Sequence, residues 1–289
     1  MSATHTAVAA LRQAVAPALP QGDPANLALA RELLDNRALL QSLARGALFG
    51  EGSVTIGGDA TTPSLATPLI EAAVVRDPNV VWRVAGRTAG TVTPGALTAS
   101  TIHYLYLRAD ADGVYSYVVS TTAPTGLFRI TGNELQRLVC AFATGLLGFP
   151  LPAVVGERSG RYIASSGRAE LVALAPGATI GGPGGVGRAT TWTAVSLATL
   201  VPPWATTAWV MARVKRAAAD GGVELRVRRS SADGGHLSAA VAYAHAGIDS
   251  GDEKLVQVPL LSAAFEYQLT AALTDDPAYG ATFTVVGWE

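Results

Sequence analysis

Two strand-like runs flanking an Asp-Gly turn constrain this chain more than any other feature. Thr101-Ile-His-Tyr-Leu-Tyr-Leu107 and Val114-Tyr-Ser-Tyr-Val-Val-Ser120 are rich in β-branched and aromatic residues and enclose Asp110-Ala-Asp-Gly113. Such runs around an Asp-Gly pair predict a β-hairpin, because the turn needs a residue that accepts positive φ. The same texture begins near Gly52, with Val54-Thr-Ile56 and Val80-Val-Trp82-Arg-Val84. It returns late in the chain in Thr207–Val214, Gly222–Arg228, Lys254–Val258, Phe265–Leu269 and Ala281–Val286. The run after Gly222 alternates, with Val223, Leu225 and Val227 on one face and Glu224, Arg226 and Arg228 on the other, which is the period of a half-buried strand. Residues 134–147 fit a short helix or a strand equally well.

The first fifty residues read differently. Val8, Leu11 and Val15 repeat at helical spacing until Pro17 and Pro20, and Asp23-Pro24 has the form of an N-cap followed by a first-turn proline. The second helix is expected to run to about Leu48, with Gly46 and Gly50 as stops. Within it Leu29, Leu33, Asn36, Leu40, Leu43 and Ala47 form a heptad seam with one polar member. In a coiled coil a buried Asn would set register and oligomer state; in the alternative, the helix packs on its own domain.

The expected fold is mainly β, with an N-terminal helical segment over 1–50 and a middle antiparallel β-domain over 51–165. A Gly/Pro-rich linker over 166–190, including Gly181-Gly-Pro-Gly-Gly-Val-Gly187, leads to a C-terminal β-sandwich, jelly-roll-like, over 191–289.

Composition narrows the function. Charged residues are 15% of the chain, hydrophobic residues are 49%, and the net charge is −1. Nucleic-acid binding needs a concentrated positive field, so no nucleic-acid partner is expected. No apolar run is long enough to span a membrane, and Met1-Ser-Ala-Thr-His-Thr lacks the form of a signal peptide. Synthesis in a cytoplasm without membrane insertion is expected.

Catalytic, cofactor and metal signatures are weak. The four histidines His5, His103, His236 and His245 show no metal-ligand spacing, and His103, within a strand run, is expected to be packed. Cys140 sits among apolar neighbours and reads as an inert buried thiol. Gly182, Gly184 and Gly187 match a dinucleotide fingerprint formally, but a β-like run follows where a helix is required. Asp110, Asp112 and Gly113 suit a calcium loop only at its start, since its twelfth position is Thr121. Asp275-Asp276 reads as a solvated turn. No catalytic residue, cofactor or metal is therefore assigned. Trp192, Trp204 and Trp209 lie within eighteen residues and suit glycan or receptor contact, or alternatively the filling of a sandwich core.

From His103-Tyr-Leu-Tyr-Leu-Arg-Ala-Asp-Ala-Asp-Gly113 through Tyr117-Val-Val-Ser-Thr-Thr-Ala-Pro124, the sequence resembles a segment of bacteriophage tail-fibre-like proteins. Arg137-Leu-Val-Cys-Ala-Phe-Ala-Thr-Gly145, Gly148-Phe-Pro-Leu-Pro152 and Gly160-Arg-Tyr-Ile163 follow in the same order as in those proteins. Trp192-Thr-Ala-Val-Ser-Leu and Val201-Pro-Pro-Trp-Ala205 resemble the opening of their C-terminal domain. The pattern departs at Gln136-Arg137, where Arg-Arg is common, and at Gly145-Leu-Leu-Gly148, where a polar turn is common. The resemblance implies a non-enzymatic virion structural protein, often a homotrimer, anchored to other virion proteins through its N-terminal segment and touching a host surface glycan through its C-terminal domain. The competing expectations are a capsid- or tail-tip-associated component that binds other virion proteins without a receptor, and a polysaccharide-degrading enzyme. The enzyme lacks the internal repeat of a long β-helix.

Overall fold

The computed structural model describes residues 49–50, 53–58, 63–80, 82–87, 89–145, 148–163, 187–244, 247–276 and 278–289. The heptad residues Leu29, Leu33, Asn36, Leu40, Leu43 and Ala47 lie outside the described residues, as does 164–186, the greater part of the expected linker.

The described chain is mainly β. The first nine of its strands are β1 (Phe49–Gly50), β2 (Val54–Gly58), β3 (Pro63–Thr67), β4 (Ile70–Arg76), β5 (Trp82–Arg87), β6 (Gly90–Val92), β7 (Ile102–Ala109), β8 (Tyr115–Ser120) and β9 (Phe128–Thr131). The remainder are β10 (Glu134–Ala143), β11 (Ala153–Val155), β12 (Gly160–Tyr162), β13 (Thr193–Ser196), β14 (Thr207–Arg216), β15 (Val223–Arg228), β16 (Leu237–Ala242), β17 (Ser250–Pro259), β18 (Ala264–Leu269) and β19 (Gly280–Trp288). β1 pairs with β4, so sheet structure begins inside the segment expected to be helical.

The predicted hairpin forms between β7 and β8, with Leu107 opposite Tyr117. Asp110 Oδ1 accepts from the backbone N–H groups of Asp112 (3.0 Å) and Val114 (2.8 Å), and Gly113 takes φ +81°. The acid and the glycine are thus accounted for by the turn. The ambiguous stretch after Glu134 is a strand: β10 lies between β7 and both β4 and β9 in a seven-stranded sheet. Its residues Gln136 to Ala143 are all buried, and a strand buried on both faces reads as a continuous apolar run with no alternation. Val80, expected in a strand, instead occupies a turn at φ +67°, an unusual conformation for a β-branched residue, and donates its N–H to Asp77 O at 3.0 Å.

The second sheet has eight strands in the order β17-β14-β19-β12-β11-β2-β3-β6, and a third has four, β13-β18-β15-β16. The four-stranded sheet faces β14 and β19 across a core in which Phe265 and Phe283 meet edge-to-face at 5.1 Å and Tyr267 meets Phe283 at 5.5 Å. Each such buried aromatic contributes roughly 1.5–3 kcal/mol from burial alone.

One sheet crosses the boundary between the middle and C-terminal regions. β12 pairs with β19, Gly160 opposite Trp288 and Arg161 opposite Gly287. Trp288 covers Gly160 so closely that a Cβ there would come 2.1 Å from its ring. The Tyr162 ring lies 5.4 Å from Trp288, and Tyr162 Oη donates to Leu200 O at 2.5 Å. Residues 187–190, assigned to the linker from sequence, belong to the sandwich: Gly187 and Ala281 exchange two backbone hydrogen bonds of 2.7 Å, and Leu269 N–H donates to Ala189 O at 2.8 Å.

Candidate functional site

The eight-stranded sheet has one buried and one open face. Along β14, Ala208, Val210, Ala212 and Val214 point inward, while Trp209 and Arg213 are exposed on the other side. The pairing registers carry the Trp209 row across the sheet through Gln257, Trp209, Gly287, Arg161, Val154, Thr55, Ala66 and Thr91. At about 4.8 Å per strand the row is roughly 34 Å long. Trp209 (42% exposed), Val154 (39%), Ile163 (41%) and Leu255 (55%) provide its apolar surface. Ile163 stands two residues beyond Arg161 and Leu255 two before Gln257, so both share the parity of the row. At one end of the row Gln257 Nε2 donates to Glu289 Oε1 at 2.9 Å, holding an amide of β17 against the carboxylate that follows β19, the two strands that flank β14.

The three tryptophans singled out from sequence do not converge. Trp209 stands on this open face. Trp192 lies at the four-stranded sheet, where the Arg228 guanidinium covers its ring at 4.0 Å and His236 approaches at 6.1 Å. Arg228 is itself held by Glu266, Nε to Oε2 at 2.7 Å. Beside it, Ser238 donates to the Glu224 carboxyl and, with Arg226, holds it below the ordinary glutamate range. Trp204 is half-buried between the two regions, 5.5 Å from Tyr104. One open indole face therefore remains, that of Trp209.

Chemistry-bearing residues elsewhere are used structurally. Cys140 is fully buried and burial pushes its thiol well up, which suppresses the reactive thiolate. Asp275 pairs with Arg188, and Asp276 Oδ1 accepts the Ala278 N–H at 2.7 Å. Gly182 and Gly184 lie outside the described residues, and Gly187 bridges β19.

Sequence reading missed Arg161, Val154, Ile163 and Leu255 as members of one face. Strand parity places Trp209 opposite its inward neighbours, but joining β12 and β11 to β14 depends on a pairing about 130 residues long in sequence. No protein-family model matches the chain, and no curated protein matches it.

Proposed function

We propose that this chain is a non-enzymatic structural subunit of a virus particle, part of a fibre or spike, whose C-terminal region attaches to a host-surface glycan through the open face around Trp209. The observation that carries the reading is the exposed indole of Trp209, set among Gln257, Glu289 and Arg161 on a face whose opposite side is packed. A pyranose ring stacks its C–H face on indole, and amide, carboxylate and guanidinium groups supply hydrogen bonds to its hydroxyls. The ordered resemblance of residues 52–165 to phage tail-fibre-like proteins supports the virion setting. The sheet shared by β12 and β19 supports a mechanical role, since it couples the attachment region to the region before it through backbone hydrogen bonds. The heptad at Leu29, Leu33, Asn36, Leu40, Leu43 and Ala47 is the proposed trimerisation element and the link to other virion proteins.

A second reading, a capsid- or tail-tip-associated component that binds protein instead of glycan, is favoured by Val154, Ile163 and Leu255, which extend the apolar surface far beyond the size of one sugar. Trp209→Ala separates the two. Under the attachment reading it removes binding of the purified protein to host cells while leaving incorporation into particles intact. Loss of incorporation with unchanged cell binding supports the second reading, and absence of the wild-type protein from particles overturns both.

A further inference from the structure

A cavity of about 490 Å³ opens in the middle region between the loop after β6 and the strand β8. This lies within the range of about 300–1,000 Å³ usual for small-molecule sites. The lining residues with polar side chains are Thr93, Thr98, Tyr117, Ser120 and Thr121, which carry hydroxyls, and His103. None of the described residues that line it is acidic, Lys or Arg.

His103 is 3% exposed and stacks on Phe142 at 5.6 Å with the planes 21° apart. Its Nε2 lies 3.1 Å from Thr98 O. A carbonyl oxygen only accepts, so Nε2 carries the proton and Nδ1 of the neutral ring is left as an acceptor. Burial favours that neutral form.

The loop wall is fixed from behind. Thr144 Oγ1 donates to Thr98 O at 2.6 Å and accepts the Thr101 N–H at 3.1 Å. Ser100 N–H donates to Gly145 O at 3.0 Å. Gly148, at φ +79°, lets Leu97 O approach to where a Cβ would stand 2.9 Å away. A wall held this way needs little ordering on binding, which lowers the cost of capturing a small ligand.

We propose that this cavity binds an uncharged polyhydroxylated ligand, a neutral saccharide unit, through the hydroxyl of Thr121 and the acceptor nitrogen of His103, which the β7–β8 register sets across from each other on one face. Hydroxyl groups both donate and accept, matching a lining of hydroxyls and one bare nitrogen, whereas an acidic sugar would lose its hydration without meeting a cation. The site is separate from the Trp209 face and does not depend on the virion reading.

The test uses the full-length protein with methyl α-glucoside, galactose, N-acetylglucosamine and maltose, and with glucuronic and N-acetylneuraminic acids as charged probes. Binding is followed by saturation-transfer NMR and calorimetric titration. At least one neutral sugar is expected to bind with a Kd on the order of 1 mM, and the acids are expected not to bind. With the open face silenced by Trp209→Ala, Thr121→Val, which keeps the side-chain shape, should weaken the remaining binding about fivefold or more, whereas Ser120→Ala, on the opposite strand face with Tyr104, should leave it unchanged. His103→Phe should abolish it; because that change also removes the bond to Thr98, Thr121→Val decides the matter if His103→Phe does not fold. Binding of no neutral sugar, equal binding of the acids, or an unchanged Kd in folded Thr121→Val overturns the proposal.

Discussion

Among the described residues the middle and C-terminal regions each bury one arginine completely, and they hold it by different means. Arg137, in β10, meets the Glu157 carboxylate at 2.7 Å, donates to Leu138 O at 2.8 Å and Leu127 O at 3.3 Å, and lies over the Phe128 ring at 5.5 Å. Arg216, at the end of β14, reaches the carbonyl oxygens of Tyr243 (2.9 Å), Ala217 (2.6 Å), Ile248 (3.4 Å) and Asp220, and Ser250 Oγ at 2.8 Å. The first arginine works against a formal charge and ties the β11–β12 turn and the start of β9 to one strand. The second gathers four carbonyls of two loops, the β14–β15 and β16–β17 connections, onto one strand end through backbone dipoles. A buried cation is thus tolerated in either way, but the carbonyl cage uses it chiefly to satisfy loop carbonyls, whereas the carboxylate pair uses it chiefly to balance a charge.

The comparison orders the expected effects of substitution. Arg216→Met should cost the most, about 3–5 kcal/mol, because several loop carbonyls lose their donor together; urea unfolding of the full chain measures it. Arg137→Met should cost somewhat less, about 3 kcal/mol. Adding Glu157→Gln should then restore up to about 1 kcal/mol, since the Glu157 carboxylate, 26% exposed, keeps among the described residues only Arg158 at 3.9 Å as a cationic partner. If Arg137→Met proves the more damaging, the carboxylate rather than the number of carbonyls satisfied sets the strength of such a site. Gly160→Ala should cost about 1–3 kcal/mol by overpacking against Trp288, and it should weaken both regions at once, visible as parallel losses of amide protection in β11 and β19.

The smallest effect is that of pH, and it differs between the regions. In the C-terminal region burial pushes Asp220 up, but hydrogen bonds from Thr274 and Ala217 outweigh it and the carboxyl lies below its ordinary value. The Tyr279 hydroxyl lowers Asp249, and the Val241 N–H lowers Asp252. Depressed carboxyls contribute stability above their unfolded values and lose it as pH falls through the folded ones. Exchange in 217–222 and 247–252 should therefore accelerate only in acid, below the ordinary aspartate range. In the middle region burial lowers His103 from 6.5. Its contribution is complete above that value and lost as pH falls towards the lowered one, so the loop before β7 should loosen at milder acidity. Hydrogen exchange across pH 3–8 reads both, and simultaneous loosening would erase the distinction.

Much of the β architecture is legible from local chemistry. The β7–β8 hairpin follows from Asp110 and Gly113, and β15 from its clean alternation. β10 is illegible as a strand because Leu138 to Ala143 are buried on both faces and leave no period. The two arginines are half legible. Arg216 continues the inward parity of Ala208, Val210, Ala212 and Val214, yet a sequence pattern offers no sign that carbonyls wait for it. The candidate face divides in the same way: the outward position of Trp209 is local, whereas the covering of Trp192 by Arg228 and of Trp204 by Tyr104 arises from pairings between distant strands.

The contact between Gly160 and Trp288 also bears on the order of synthesis. On the ribosome, β2, β3, β11 and β12 emerge more than a hundred residues before β19. Until residues 280–288 follow, the β12 edge presents unpaired backbone groups and a bare patch over Gly160. A nascent chain paused in that interval carries an adhesive edge, open to chaperones or to the same edge on a neighbouring polysome. Arrival of β19 buries that edge, so a translation stop shortly before residue 280 should yield aggregates rather than a stable middle region.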